Sequence, residues 1–313
     1  MLNSDNSIKP EYQIAISKVL HYINQNLSGD LSLETISAKA NYSPFHFQKI
    51  FSSAINESPK QYVMRLRLER AAHYLKVFSN LPVVEIATGC GFSSPSIFSR
   101  AFKNYYSVTA EDFRTMTLKE TSEIVSKINS QLNIDILQAL MNEINAQVEM
   151  PGNVQINPAP TVKVQNSSRF ACVTTTLKHP DSISFAFKSL MRWATSNEIV
   201  VANSRFVGVW LDVPFYTSMD KCRYLAGIEV KGELKFKKNV DIITLEEGKY
   251  AGFSMVGGLE STLNHVIALN HHYLEEMGFE MSELICYELF DECPASSSYD
   301  KIIKHIQIPV KKK

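Results

Sequence analysis

Apolar positions recur at helical spacing through the first third of the chain and alternate in short runs through the last half. Ile16, Val19, Leu20, Ile23 and Leu27 fall on one face of an opening amphipathic helix. From Leu31 to Phe51 (LSLETISAKANYSPFHFQKIF) the spacing predicts a short helix, a turn holding an aromatic, and a second helix. Leu81–Phe102 (LPVVEIATGCGFSSPSIFSRAF) repeats it with one extra serine. Ile36 then aligns with Ile86, Tyr42 with Phe92, Phe47 with Phe98, Lys49 with Arg100 and Phe51 with Phe102. Both second helices open on Ser-Pro, at Ser43-Pro44 and Ser94-Pro95, where a hydroxyl caps and proline takes the first helical position. Each first helix is too short to bury a core alone, so each copy predicts a helix-turn-helix unit. A third helix opens at Ser58-Pro59, with Tyr62, Leu66, Leu68, Ala72 and Leu75 on its apolar side and Arg65, Arg67 and Arg70 largely off it. It is long enough to hold two recognition helices at successive major-groove segments, roughly 34 Å apart.

The pattern changes after residue 117. A polar stretch with scattered Ile and Leu, helical in NIDILQALMNEINAQVEM, leads to a boundary marked by Pro151, Gly152, Pro158 and Pro160. Beyond it RFACVTTTL, RFVGVWLDV, CRYLAGIEV, YAGFSMV, LICYELF and KHIQIPV read as strands, interrupted by helices at Ser184–Ser196 and Leu259–Met277. The expected fold is therefore multidomain. An all-α double helix-turn-helix domain (8–116) and a connector (117–154) precede an α+β domain of two β-α-β-β modules (155–311).

Charge sharpens the first half. The net charge is zero, but Lys39 to Lys103 carries nine Lys and Arg against three Asp and Glu, while 155–313 carries eighteen of each. The basic excess falls where a phosphate-binding surface is wanted. Five cysteines, an odd number without a C-x-x-C pair, argue against a disulfide framework or zinc site and for a reducing cytoplasm. No signal segment and no run of roughly 18 apolar residues points to a membrane. No catalytic triad, phosphate loop, metal spacing or cofactor motif is present, so neither an enzyme, a cofactor nor a metal is expected.

With LSLETISAKANYSPFHFQKIF, an arginine-rich linker helix and LPVVEIATGCGFSSPSIFSRAFKNYYSVTAEDFR in order, the region from Ile14 to Arg114 resembles the DNA-binding domain of the AraC/XylS transcription regulators. It departs from that family at Ala110, where proline is usual, and at Ser107 and Asn56, where glycine is common. VGVWLDVP, KCRYLAGIEV, EEGKYAGFSMVGG, CYELFDECP and IQIPV resemble the GyrI-like small-molecule-binding domain of multidrug-responsive regulators.

The resemblance implies double-stranded DNA as a partner, with a small cationic amphipathic ligand and RNA polymerase as further ones. Base readers are expected at Phe45, His46, Gln48 and Lys49 in the first unit and Ser96, Ile97 and Arg100 in the second. Gln48 suits adenine, Lys49 and Arg100 guanine, and Phe45 a thymine methyl. His46 also has the simpler reading of a half-buried ring. Glu288 lies in an apolar strand, its own face carrying Leu284, Cys286 and Phe290, where an unpaired carboxylate is costly. The resemblance gives it the role of receiving cationic, hydrophobic ligands, with Trp193, Trp210, Tyr224 and Phe253 as aromatic walls. A buried Lys or Arg partner for Glu288 is the alternative. For the domain as a whole, the alternatives are a protein-interaction module without ligand, or a hydrolase.

Overall fold

The computed structural model describes residues 9–128 and 156–313, apart from 79, 180, 200, 202–203, 214–215, 233–239, 284 and 296–297. The expected helix in NIDILQALMNEINAQVEM, the boundary pair Pro151-Gly152, and Leu284 lie outside the described residues. The described residues form two compact units, one of 9–128 with 216–217 and one of 156–213 with 218–313.

The first unit is helical. The opening helix α1 (Pro10–Gln25) precedes the first pair, α2 (Leu33–Ala40) and α3 (Pro44–Ile55). The linker α4 (Pro59–Val77) leads to the second pair, α5 (Val83–Gly89) and α6 (Pro95–Tyr106), followed by α7 (Ala110–Thr115) and α8 (Leu118–Ile128). The Ser-Pro starts act as the sequence predicts: Ser43 accepts from the His46 N–H, Ser94 from the Ile97 N–H, and Ser58 forms a reciprocal capping box with Gln61. Ile16, Val19, Ile23, Ile36, Phe47, Phe51 and Leu66 share the first core. The second is aromatic, with Phe98, Phe102, Tyr106 and Phe113 in successive ring contacts. Helix α8 belongs to this unit and buries Thr121 and Val125.

The departures at Asn56 and Ser107 adopt the backbone that glycine would. Both end a helix in the left-handed region, at φ 60° and 64°. Asparagine tolerates that region but serine does not. Ser107→Gly should therefore stabilise the protein by about 0.5–1 kcal/mol, and Asn56→Gly by less. Thermal unfolding of the two variants checks this, and a lower midpoint for Ser107→Gly would contradict it.

Two of the linker arginines prove to be structural, a correction to their placement largely off the packed side. Arg65 is buried, its Nε 3.0 Å from Glu57 and its Nη1 3.1 Å from Glu69. Burial opposes its charge, but Glu69 and Glu57 outweigh that and hold the guanidinium above its ordinary value. Arg67 donates to the carbonyls of Leu27 and Gly29, pinning the turn after α1.

The second unit is one curled sheet. Its first module is β2 (Ser168–Thr176), α9 (Ser182–Ser196), β3 (Phe206–Trp210) and β4 (Arg223–Glu229). The second is β6 (Gly248–Met255), α10 (Leu259–Ala268), β8 (Cys286–Phe290) and β9 (Lys304–Lys312). Helix α10 continues through a π-helical turn at Leu269–Tyr273 and a last turn to Glu276. The sequence reading did not anticipate β1 (Thr161–Gln165), β5 (Asp241–Leu245) or β7 (Phe279–Met281). Strand order is β1-β6-β9-β8-β3-β4-β2-β5, with β7 on β9, so the modules meet at β3–β8.

Only Asn166 and Ser167 join β1 to β2, six strand positions away. A flat sheet would need about 29 Å there, whereas that link spans at most about 11 Å. The sheet must curl until its ends meet. They meet in one ribbon: Gln165 stands opposite Gly248 and Ser168 opposite Leu245, so the register runs on through both two-residue corners. One face holds Phe170, Cys172, Val207, Val209, Leu225, Leu245, Tyr250, Tyr287 and Leu289. The opposite face carries α9 and α10.

Candidate DNA interface and ligand site

Helix α3 buries Phe47, Ile50, Phe51 and Ala54, which leaves Phe45, Gln48 and Lys49 exposed near its N-terminus. Phe45 is 83% exposed. His46 is half-buried instead, its ring 5.6 Å from Tyr12 and 5.1 Å from Tyr42. Helix α6 buries Phe98, Phe102 and Tyr106 and exposes Pro95, Ser96, Ile97, Ser99, Arg100 and Lys103. Lys49 and Arg100 occupy equivalent exposed positions, as the repeat requires. The chain geometry explains why: tight turns at Asn41 (φ 59°) and Gly91 (φ 85°) set each second helix against its first. At Gly91 a Cβ would meet the Leu27 carbonyl at 2.8 Å, so that turn admits no side chain.

In the second unit the strand register assembles the other site. Phe253, Ile306, Glu288, Gly208 and Ala226 lie in one row across β6, β9, β8, β3 and β4. Partners directly opposite share a face. Trp210, Tyr224, Cys286 and Lys304, each two residues from a member of that row, share it too. Glu288 is fully buried, and both its oxygens are occupied: Tyr224 donates to Oε2 at 2.6 Å and Tyr299 to Oε1 at 2.5 Å. Burial, reinforced by the charge of Glu288, holds both phenols well above their ordinary value, so they remain donors. Trp210 stands edge-on to Tyr224 at 5.8 Å, and among the described residues its buried Nε1–H finds no acceptor. Phe253 stacks on His265 of α10 at 5.9 Å.

Lys304 is also fully buried. Its Nζ lies 3.4 Å from the Tyr299 ring centroid and donates to the Gly257 carbonyl and to Thr262 Oγ1. A separate groove of about 720 Å³, on the outer side of α9, is lined by Phe185, Lys188, Met191, Arg192, Cys293 and Ala295.

Residues 36–116 match the helix-turn-helix domain family, and 158–311 match the GyrI-like small molecule binding domain. Over 116 residues the chain is 33% identical to the multiple antibiotic resistance protein MarA of Escherichia coli K12, covering 37% of this chain and 91% of MarA. The chain belongs to the AraC/XylS family. It is also 32% identical to the transcriptional activator AarP of Providencia stuartii, over 32% of this chain and 73% of that one. A solved DNA-binding domain of the global transcriptional factor AdpA, in complex with a target DNA, is 26% identical over 32% of this chain and 89% of its own, with a TM-score of 0.31. This AraC-family protein is a DNA-binding transcription regulator carrying a GyrI-like small-molecule-binding domain.

The sequence-predicted residues of this AraC-family chain fall as follows. Trp210, Tyr224, Phe253 and Glu288 share one face of the sheet, with Cys286 and Phe290 beside Glu288 as expected. Trp193 does not share that strand row: it is half-buried on α9, in the turn that ends at Ala194. Two residues escaped the sequence reading, Tyr299 and Lys304. Tyr299 sits in a loop without periodicity. Lys304 carried a signal, because it stands two and four residues before Ile306 and Ile308 and so had to share their buried face. The alternative of a buried basic partner is met obliquely: the hydrogen bonds to Glu288 come from tyrosines, and Lys304 reaches it through Tyr299. Among the described residues, no cluster of His, Cys, Asp and Glu is arranged to hold a metal. No described helix is long and apolar enough to cross a membrane.

Proposed function

We propose that α3 and α6 read a two-part DNA site and that a small hydrophobic cation, bound at Glu288, modulates that reading. The observation that carries the ligand half is a fully buried carboxylate whose hydrogen-bonding partners are phenols. Phenol donors bring no charge of their own, and Glu288 sits among Trp210, Tyr224, Tyr299 and Phe253, the aromatic environment that rewards an organic cation. A carboxylate paired with a guanidinium, as Glu57 and Glu69 are with Arg65, would already be neutralised. Phe45, Gln48, Lys49, Ser96, Ile97 and Arg100 are the base-reading set, with His46 positioning Tyr42 and α1 more than reading DNA. The division into 8–116, 117–154 and 155–311 fits this reading, α8 going with the DNA-binding unit. Modulation requires the ligand to prefer one of two states of the protein, and RNA polymerase is the further partner through which an activator would act. The protein is read as a regulator and not as an enzyme.

Tetraphenylphosphonium, a permanent lipophilic cation, is the probe. Calorimetry on the full chain should show binding that weakens at least about 30-fold in Glu288→Gln, the loss expected when a buried charge pair is broken. Selection of duplexes from a random pool, with and without the probe, should enrich two half-elements one helical turn apart and change with ligand. Enrichment unaffected by the probe, with no heat of binding, would favour the interaction-module alternative.

A further inference from the structure

The ligand site already contains a cation. Lys304, opposite Met255 on β9, is enclosed by α10, the loop before β9 and the neighbouring strands. Its ammonium occupies the face of Tyr299, and the hydroxyl of that same ring serves Glu288. One tyrosine therefore receives the positive charge on its π face and the negative charge at its tip. The site pairs one buried carboxyl group with one buried amine, an aromatic ring between them.

This balance matters for any ligand taken up at Glu288. A second cation would join the first in a desolvated space, where like charges repel strongly. Lys304 can relieve that without leaving its place. As a neutral amine it still donates to the Gly257 carbonyl and Thr262 Oγ1, so its anchoring survives loss of the charge. The groups facing it are Glu288 and Cys286 from β8, Tyr299 and Asp300 from the loop, Tyr224 from β4, and Thr262 with nearby His265 from α10. Of these only Glu288 and Asp300 favour its charged form, and burial outweighs them, bringing Lys304 down to about 8.

We propose that Lys304 is a built-in counter-cation for Glu288, and that a cationic ligand binds by replacing its charge, Lys304 releasing one proton to the solvent for each cation taken up. This rests on Glu288 being the anion that receives the ligand. The site thereby discriminates by charge: a neutral isostere displaces nothing and gains nothing from Glu288, while a cation binds more tightly as the pH rises toward 8.

The test is calorimetry of the full chain with tetraphenylphosphonium, in two buffers of different ionisation enthalpy at pH 7 and over pH 7 to 9. Triphenylphosphine oxide is the neutral comparator. The ligand carries no titratable group, so protons released come from the protein. Wild type should release about one proton per cation at pH 7, and its affinity should rise about tenfold from pH 7 to a plateau near pH 9. Lys304→Met should abolish both effects and bind about tenfold more tightly at pH 7. Cation binding by Lys304→Met where wild type shows none would support the proposal equally. Binding without proton release and without pH dependence, still lost in Glu288→Gln, would overturn the role of Lys304 alone. No binding by wild type or Lys304→Met would overturn the ligand reading of Glu288 and this inference with it. The proton count on wild type needs no variant, so a Lys304→Met that folds poorly leaves the question decidable.

Discussion

Gly208→Ala is expected to destabilise the second unit by about 2.5–6 kcal/mol and, on the proposed function, to weaken cation binding at Glu288. A Cβ on residue 208 would stand 1.7 Å from the Tyr224 hydroxyl oxygen, 2.5 Å from Tyr224 Cζ and 2.9 Å from Glu288 Oε2. Tyr224 is fully buried against Trp210 and has no room to retreat. Overpacking of this kind costs about 1–3 kcal/mol. Losing a hydrogen bond to a buried carboxylate adds about 1.5–3 kcal/mol. Glycine at 208 is thus what allows a β4 tyrosine to reach across β3 to a β8 glutamate. The measurement is urea unfolding of the full chain followed by tryptophan fluorescence. The chain has two tryptophans, Trp193 and Trp210, both in the second unit, so the signal reports that unit alone. An unchanged midpoint would refute the argument.

The second large effect lies on the DNA. Gln48→Ala and Arg100→Ala should each weaken binding to a selected site by about 1–3 kcal/mol, or roughly 5- to 150-fold, and flatten preference at the base each one reads. Both side chains are exposed, on helices whose opposite faces are packed with phenylalanine, so neither substitution disturbs the core. Lys60→Ala, exposed at the start of α4, should weaken all duplexes alike and reduce salt dependence. Fluorescence anisotropy on the selected and a scrambled duplex, at fixed salt, separates the two kinds of contact. Equal losses on both duplexes for Gln48→Ala and Arg100→Ala would falsify the assignment.

The contrast with Arg65 shows where sequence reading stops. A helix-period pattern identifies which residues are apolar and where a helix begins, and the repeated Ser-Pro starts were legible because capping is local. Whether a basic residue on such a helix faces phosphate or a buried acid depends on what folds against it. Glu69 four residues on was a hint, but Glu57 lies outside the helix and reaches Arg65 only through the turn before α4. Likewise the six longest β-rich runs announced themselves, whereas TVKVQ, DIITL and FEM are too short, or too exposed on both faces, to stand out. In the candidate ligand site, Glu288 could be found as a charge in an apolar strand. Tyr224 was expected beside it only as an aromatic wall, through the family resemblance, and Tyr299 and Lys304 were missed, because they arrive from a loop and another strand, the latter brought in by pairing at β8–β9.

The ribbon that closes the curled sheet has a consequence for how the second unit comes apart. Strand β1 leads into the first module but pairs with β6 of the second, while β5 leads into the second and pairs with β2 of the first. Each half lends its leading strand to the other, the arrangement of a domain-swapped dimer drawn on a single chain. Neither half owns all of its hydrogen-bonded neighbours, so losing one strips an edge from the other, and the unit is expected to unfold in a single step.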